Sequence, residues 1–258
     1  MAAEKGRYND VQQRRLYPVA RFNSRCARPL SALLAPFLSP NQVSLLSLLV
    51  SLAGLALVAT ATWRLMAFGA LLVHLGLLLD HADGQVARRT GKGSTWGMYL
   101  DMVIDRVVEV GLVVALLRPA TLGIAGAPIS LPAWAPLGAA AVAVLAVAAV
   151  AAMLMWRFLT AYNDVLYLRS HLVDTGRLPD AAARPRGLVR RPLLPWVFNR
   201  DWLLLLWLVG VLAAQAQGTL WMLLATTGLM CVERIIVFWS RHRTPEGDAR
   251  RILGRDYH

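Results

Sequence analysis

Long apolar runs, separated by short polar and strongly basic stretches, dominate the chain. A bilayer hydrocarbon core of ~30 Å takes about 20 apolar residues per helix. Six runs approach that length, at residues 41–62, 65–86, 95–117, 133–154, 202–216 and 219–239. The fifth is short, and the fourth continues in helical pattern towards Tyr167. Ahead of them, residues 8–37 alternate basic side chains with Leu, Val, Tyr and Phe, which predicts an amphipathic helix lying on the membrane surface. The first 40 residues lack an early apolar core and do not read as a signal peptide. Proline and glycine at 118–136 predict a loop, as do the basic residues of 178–195. The expected architecture is all-α and integral to the membrane, six transmembrane helices preceded by an N-terminal amphipathic surface helix. One domain is expected over 1–258, with a juxtamembrane segment (1–38), a six-helix bundle (39–240) and a basic tail (241–258).

Composition narrows the class. Hydrophobic residues make up 57% and charged residues 16% of the chain, and the mean hydropathy is +0.50. Those values exclude a disordered chain and disfavour an ordinary soluble domain. Cys26 and Cys231 are far apart in sequence and outside any Cys-x-x-Cys spacing, which argues against a disulfide scaffold or a structural zinc. The net charge of +12 would suit nucleic acid, but beside so much apolar sequence it reads as flanking charge, and no nucleic-acid partner is expected. Twenty-two basic residues fall before the first run, after the second, after the fourth or after the last; only Arg64 and Arg118 fall on the other side. That asymmetry predicts both termini in the cytoplasm and residence in the inner (plasma) membrane.

Seven acids sit in or beside the apolar runs: Asp80, Asp83, Asp101, Asp105, Glu109, Asp164 and Glu233. A charge within hydrocarbon costs at least ~2.5–3.5 kcal/mol, so each is a functional candidate. Four of them form a pattern. At about 100° per residue, Asp83 lies about −60° from Asp80, Gly84 about +40° and Ala87 about −20°, all on one helix stripe. On the next helix Gly97 lies about −40° and Asp105 about +40° from Asp101. A short turn with Gly91 and Gly93 joins the two, so two acidic stripes are expected to face each other as antiparallel neighbours at the cytoplasmic edge. Four carboxylates that close need counter-charge. Oxygen-only donors favour Mg²⁺ or Mn²⁺, and two such ions would balance the four charges and serve phosphoryl transfer. Gly84, Ala87 and Gly97 leave the stripes open to a bulky phosphate-bearing group.

The run Asp80-x2-Asp83-Gly84-x2-Ala87-Arg88-x8-Gly97-x3-Asp101-x3-Asp105 resembles the signature of the CDP-alcohol phosphotransferase family at every fixed position. Ser39-Pro40-Asn41-Gln42-Val43-Ser44 also resembles the start of that family's first span. The resemblance implies cleavage of a CDP-linked alcohol at its pyrophosphate, release of CMP, and transfer of the phosphoalcohol to an acceptor hydroxyl. It implies Asp80, Asp83, Asp101 and Asp105 as ligands of two Mg²⁺ or Mn²⁺ ions, with Asp105 also the base. Gly84, Ala87, Arg88 and Gly97 would line the CDP site. It further implies a lipid donor, CDP-diacylglycerol in most bacterial members, membrane lipids as surroundings, and a homodimer.

Arg157 and Arg234 lie in or near spans and could bind an acceptor phosphate, favouring inositol phosphate or glycerol phosphate over serine. Alternatively Glu233 pairs with Arg157 and Asp164 with Arg169. His81 sits off the acidic stripe and reads as packing or support, His74 as a core residue. Glu109 could extend the stripe or pair with Arg106 or Arg88. Trp63, Trp134, Trp202, Trp221 and Trp239 near span ends read as an interfacial belt. An intramembrane prenyltransferase would bring two separate Asp-rich motifs and more spans. A cation transporter would place carboxylates along a path at mid-membrane depth. A family member with a binding or scaffolding role would be expected to lose part of the motif.

Overall fold

The computed structural model describes residues 18–127, 137–175 and 200–241. They form seven helices: α1 (Pro18–Leu34), α2 (Pro40–Val58), α3 (Trp63–Thr90), α4 (Thr95–Leu122), α5 (Ala139–Thr175), α6 (Arg200–Leu212) and α7 (Ala216–Arg241). Among the described residues the only β pairing is a single bridge between Thr62 and Ala125. The basic residues before Pro18, residues 128–136 of the expected 118–136 loop, the 178–195 loop and the tail beyond Arg241 lie outside the described residues, and the first residues of the 118–136 stretch, up to Leu122, are helical as the end of α4.

Among the described residues four helices, rather than the six the hydropathy pattern predicts, are long and apolar enough to cross a membrane: α2, α3, α5 over Ala139–Tyr162, and α7 over Ala216–Ile236. The other two fall short for different reasons. α4 has 28 residues, but Asp101, Asp105, Arg106 and Glu109 crowd its first half. α6 has 13 residues, about 20 Å of helix, too short for a ~30 Å core. The expected extension of the fourth run is present, since α5 continues to Thr175.

The chain divides into two compact units. The larger comprises Leu16–Val150 and Asn199–Leu224 and contains the acidic motif. Within it α2 packs along α3, α4 packs on α2, and α6 packs on α3 and α1. The α2–α3 seam is tight because its facing residues are small. A Cβ on Gly54 would come within 2.9 Å of the Val73 backbone nitrogen, and Gly76 sits against the Ser51 side chain. The two helices of the acidic hairpin do not pack broadly on each other; both lean on α2, which leaves their carboxylates room to converge.

α1 attaches by small and polar residues. Ala20, Asn23, Ala27 and Ser31 are buried, and Ala27 joins Val43, Ala82 and Val86 in a core cluster flanked by Leu30 and Leu34. Ser31 Oγ donates to Gln85 Oε1 at 3.0 Å, and Gln85 Nε2 donates to the Ser24 carbonyl at 2.8 Å. Phe22 and Leu33 remain exposed, alongside Arg21, Arg25 and Arg28.

The second unit comprises Met1–Arg15, Ala151–Phe198 and Ala225–His258. In it Cys231 Sγ donates to the Ala152 carbonyl at 3.4 Å, and both cysteines of the chain are free thiols.

Candidate active site

Local sequence sets three helix ends at the site. Ser39 is the N-cap of α2, Pro40 supplies the fixed φ of the first turn, and the Ser39 N–H donates to Gln42 Oε1 at 2.8 Å. This places Asn41 and Ser44 on the first turns of α2. α3 ends on Gly91 in the left-handed conformation (φ 69°), where a glycine carries no Cβ penalty. Three residues later Ser94 caps α4, its Oγ accepting the Gly97 N–H at 2.9 Å. The turn therefore presents the last turns of α3 and the first turns of α4 side by side.

Asp80, Asp101 and Asp105 each offer an oxygen within 4.8 Å of the other two. Asp83 is not in that trio. It is buried and accepts a hydrogen bond from Ser44 Oγ. Asp83 and Asp101 share a pocket of about 120 Å³ with Gly84, Ala87, Gly97 and Asn41. Small residues make this pocket: a Cβ on Gly97 would come within 2.9 Å of Asn41 Oδ1, and one on Gly84 within 3.3 Å of Arg88 Nη1. Arg88 thus folds over Gly84 without lining the pocket itself.

The sequence pattern missed the trio's cationic partner. Arg200, the first residue of α6, reads in sequence as one more arginine of a basic loop. Its Nη1 lies 2.9 Å from Asp80 Oδ2 and 2.5 Å from Asp105 Oδ1, and its Nε lies 4.0 Å from Glu109 Oε1. Arg106 also serves these acids, its Nη1 2.6 Å from Glu109 Oε2 and its Nη2 3.6 Å from Asp105 Oδ2. Next to Arg200, Asp201 accepts from Asn23 Nδ2 at 3.0 Å and pairs with His81 Nε2 at 2.7 Å. His81 therefore supports the site from behind, tying α3 to α6. No periodic or local spacing signals Arg200 or Asp201, because they lie 95 residues or more beyond the motif. Ser44 belongs to the Ser-Pro-Asn segment, but its contact with Asp83 depends on the α2–α3 packing.

Arg157 and Arg234 belong to the second unit. The Arg157 guanidinium stacks on the Trp156 ring at 4.2 Å, a cation–π contact. Arg234 Nε lies 3.2 Å from Glu233 Oε2, so Glu233 pairs with Arg234 rather than with Arg157 as the sequence suggests. The Asp164 and Arg169 side chains lie outside the described residues.

The trio fits a hard divalent cation. Its donors are all carboxylate oxygens, they converge, and they come from two helices held by a third. The fold and the site thus define a helical membrane protein with a carboxylate cluster suited to Mg²⁺ or Mn²⁺ beside a small pocket. Residues 37–183, more than half of the chain, match the CDP-alcohol phosphatidyltransferase family, and the chain belongs to it. Bifunctional IPC transferase and DIPP synthases are similar: that of Archaeoglobus fulgidus is 33% identical over 107 residues, 41% of this chain and 21% of its own. The Aquifex aeolicus counterpart is 34% identical over 93 residues, 34% of this chain and 21% of its own. The chain thus spans about a fifth of the length of these curated relatives. Phosphatidylinositol phosphate synthase of Mycobacterium tuberculosis, solved with CDP-DAG bound, has a similar fold, with a TM-score of 0.56 at 21% identity over 89% of this chain and 97% of that one. The same enzyme in complex with manganese and citrate gives a TM-score of 0.55 at 21% identity over 86% of this chain and 91% of that one.

Proposed function

We propose that the chain transfers a phosphatidyl group from CDP-diacylglycerol to the hydroxyl of a small polyol phosphate, such as inositol phosphate or glycerol phosphate, and releases CMP. One observation carries the reading: Asp80, Asp101 and Asp105 converge to within 4.8 Å beside a pocket walled by Asp83, Gly84, Ala87 and Gly97. The family match supports a CDP-linked donor, and the Mycobacterium tuberculosis enzyme of similar fold holds CDP-DAG.

Asp80, Asp101, Asp105 and Asp83 would hold two Mg²⁺ or Mn²⁺ ions. Such ions supply Lewis-acid stabilisation of charge on both the attacking and the leaving oxygens. The chain's own residues do the rest. Asp105 takes the proton of the acceptor hydroxyl as its oxygen bonds to the phosphorus bearing the diacylglycerol, and the bond from that phosphorus to CMP breaks. Gly84, Ala87 and Gly97 give the donor's pyrophosphate and cytidine space against the helix backbones. Arg88, folded over Gly84, holds the nucleotide end. Ser44 fixes the Asp83 carboxylate, and the Asp201–His81 pair fixes the α3 turn that carries Asp80. Arg157 and Arg234 would receive the acceptor phosphate.

In this reading the site opens to the cytoplasmic side of the plasma membrane, a placement the arginine asymmetry of the loops supports, and α1 rests on that surface with Phe22 and Leu33 towards lipid. The family resemblance supports a homodimer. The test is CMP release by purified protein given CDP-diacylglycerol and Mg²⁺, with inositol phosphate, glycerol phosphate, inositol and serine offered in turn. Release dependent on a phosphorylated polyol is expected. Release with serine alone overturns the acceptor, and release with none overturns the reaction.

A further inference from the structure

Arg200 places a positive charge between two of the clustered carboxylates. A single nitrogen, Nη1, lies 2.9 Å from an Asp80 oxygen and 2.5 Å from an Asp105 oxygen, and both acids belong to the trio that fits a divalent ion. The side chain is only 15% exposed, so water screens these pairs little. We infer that Arg200 is the resident counter-ion of the acidic cluster in the metal-free protein, and that its guanidinium must withdraw from Asp80 and Asp105 for an ion to load. This rests on the metal-binding reading of the cluster and adds a residue to it.

Two further features support an exchange rather than a fixed structural pair. First, α6 has an attachment that does not involve Arg200. Asp201 independently fastens the same helix turn to α1 through Asn23 and to α3 through His81. The Arg200 side chain can therefore swing while the backbone stays. Second, a further carboxylate, that of Glu109, stands beside the guanidinium. Arg200 Nε is buried without a hydrogen-bond partner among the described residues, and the nearest carboxylate oxygen, Glu109 Oε1, lies at 4.0 Å. Arg106 holds the other oxygen of Glu109, at 2.6 Å, so Oε1 faces Arg200. Moving onto Glu109 would keep Arg200 paired, which matters because an unpaired buried charge is costly. Glu109, one turn beyond Asp105 and outside the motif, thereby gains a role: it receives the displaced guanidinium.

The consequence is a cluster whose carboxylates stay converged and neutralised before loading, at the cost of weaker ion binding. Two cations about 4 Å apart repel by several RT even at an effective dielectric of ~20. The test is Mn²⁺ titration of the full chain in nanodiscs, without nucleotide, reading free Mn²⁺ by electron paramagnetic resonance. Arg200→Gln should bind Mn²⁺ at least about tenfold more tightly than the wild type. Arg200→Lys, which keeps the charge, should stay close to the wild type, and Arg89→Gln, on the exposed end of α3, should change little because water and salt screen it. Metal-free Arg200→Gln should also melt below the wild type, and Mn²⁺ should close the gap. If Arg200→Gln folds only with Mn²⁺ present, a chelator chase replaces the titration: release slower than from Arg200→Lys supports the exchange, and equal release overturns it. Equal or weaker Mn²⁺ affinity in Arg200→Gln overturns the exchange and leaves the metal reading standing. Absence of Mn²⁺ binding in both proteins overturns the two together.

Discussion

Gly97→Ala separates what the pocket needs from what the fold needs. The added Cβ would lie 2.9 Å from Asn41 Oδ1 and 3.2 Å from Ser94 Oγ. The first distance is too short for a real contact, so the Asn41 carboxamide on the pocket wall must shift. The second puts pressure on the hydroxyl that caps α4, and losing that cap costs about 1 kcal/mol. Against this, alanine in a helix is favoured over glycine by up to ~1 kcal/mol. The two terms offset, and the unfolding midpoint should move little. Catalysis has no such compensation. Forcing a methyl group into a fitted site costs about 1–3 kcal/mol, which predicts a loss of about 10- to 100-fold in CMP release. Gly84→Ala is the matched comparison. Its Cβ meets only Arg88 Nη1, at 3.3 Å, the far end of a flexible side chain. That variant should be more stable than the wild type, by about 0.5–1 kcal/mol, and should lose less activity than Gly97→Ala. The assays are thermal unfolding in detergent and initial rates of CMP release. Wild-type rates in Gly97→Ala, or its outright failure to fold, would refute the assignment of Gly97 to the pocket wall.

Asp105→Asn preserves shape and removes the carboxylate proposed as the base, so transfer should vanish while the chain still folds; substantial residual turnover would remove Asp105 from that role. EDTA should abolish CMP release and either Mg²⁺ or Mn²⁺ should restore it, whereas chelator-insensitive turnover would end the metal reading. Arg157→Ala should raise the acceptor KM more than the donor KM, and equal effects would point to its stacking on Trp156 as its only role. Asp201→Asn weakens bonds to both His81 and Asn23, which predicts about 1–3 kcal/mol of destabilisation in chemical denaturation; an unchanged midpoint would show that α1 and α6 are held by other contacts.

What could be read from the chain and what could not follows from the range of each signal. The hairpin was legible because its information is local. The Gly91 and Ser94 helix ends, the 100° spacing of Asp80, Asp83 and Gly84, and the start of α4 at Thr95 all lie within one stretch. Span number was overread because hydropathy averages over a window. In α4 the charges sit on one face while the apolar residues keep the mean high. α6 is apolar beyond its charged first two residues, Arg200 and Asp201, and simply ends early, at Leu212. The facing of the two acidic stripes was legible, since Asp80 converges with Asp101 and Asp105, but not that both helices lean on α2 more than on each other, which depends on tertiary packing such as the close α2–α3 seam. Arg200 was invisible for the same reason. An arginine in a basic stretch carries no mark of the carboxylates it will meet across 95 residues or more of chain.

Gln85 sits inside the acidic motif yet faces away from it, gripping Ser24 and Ser31. Three turns of α3 therefore face two ways, ligand-bearing on one side and clasped by α1 on the other. A shortened protein beginning at Ser39 would strand the Gln85 amide and leave Asp201 without Asn23, so the smallest autonomous catalytic unit starts well upstream of the first membrane crossing. Among relatives, positions 31 and 85, and 23 and 201, should vary as linked pairs, although neither pair lines the pocket.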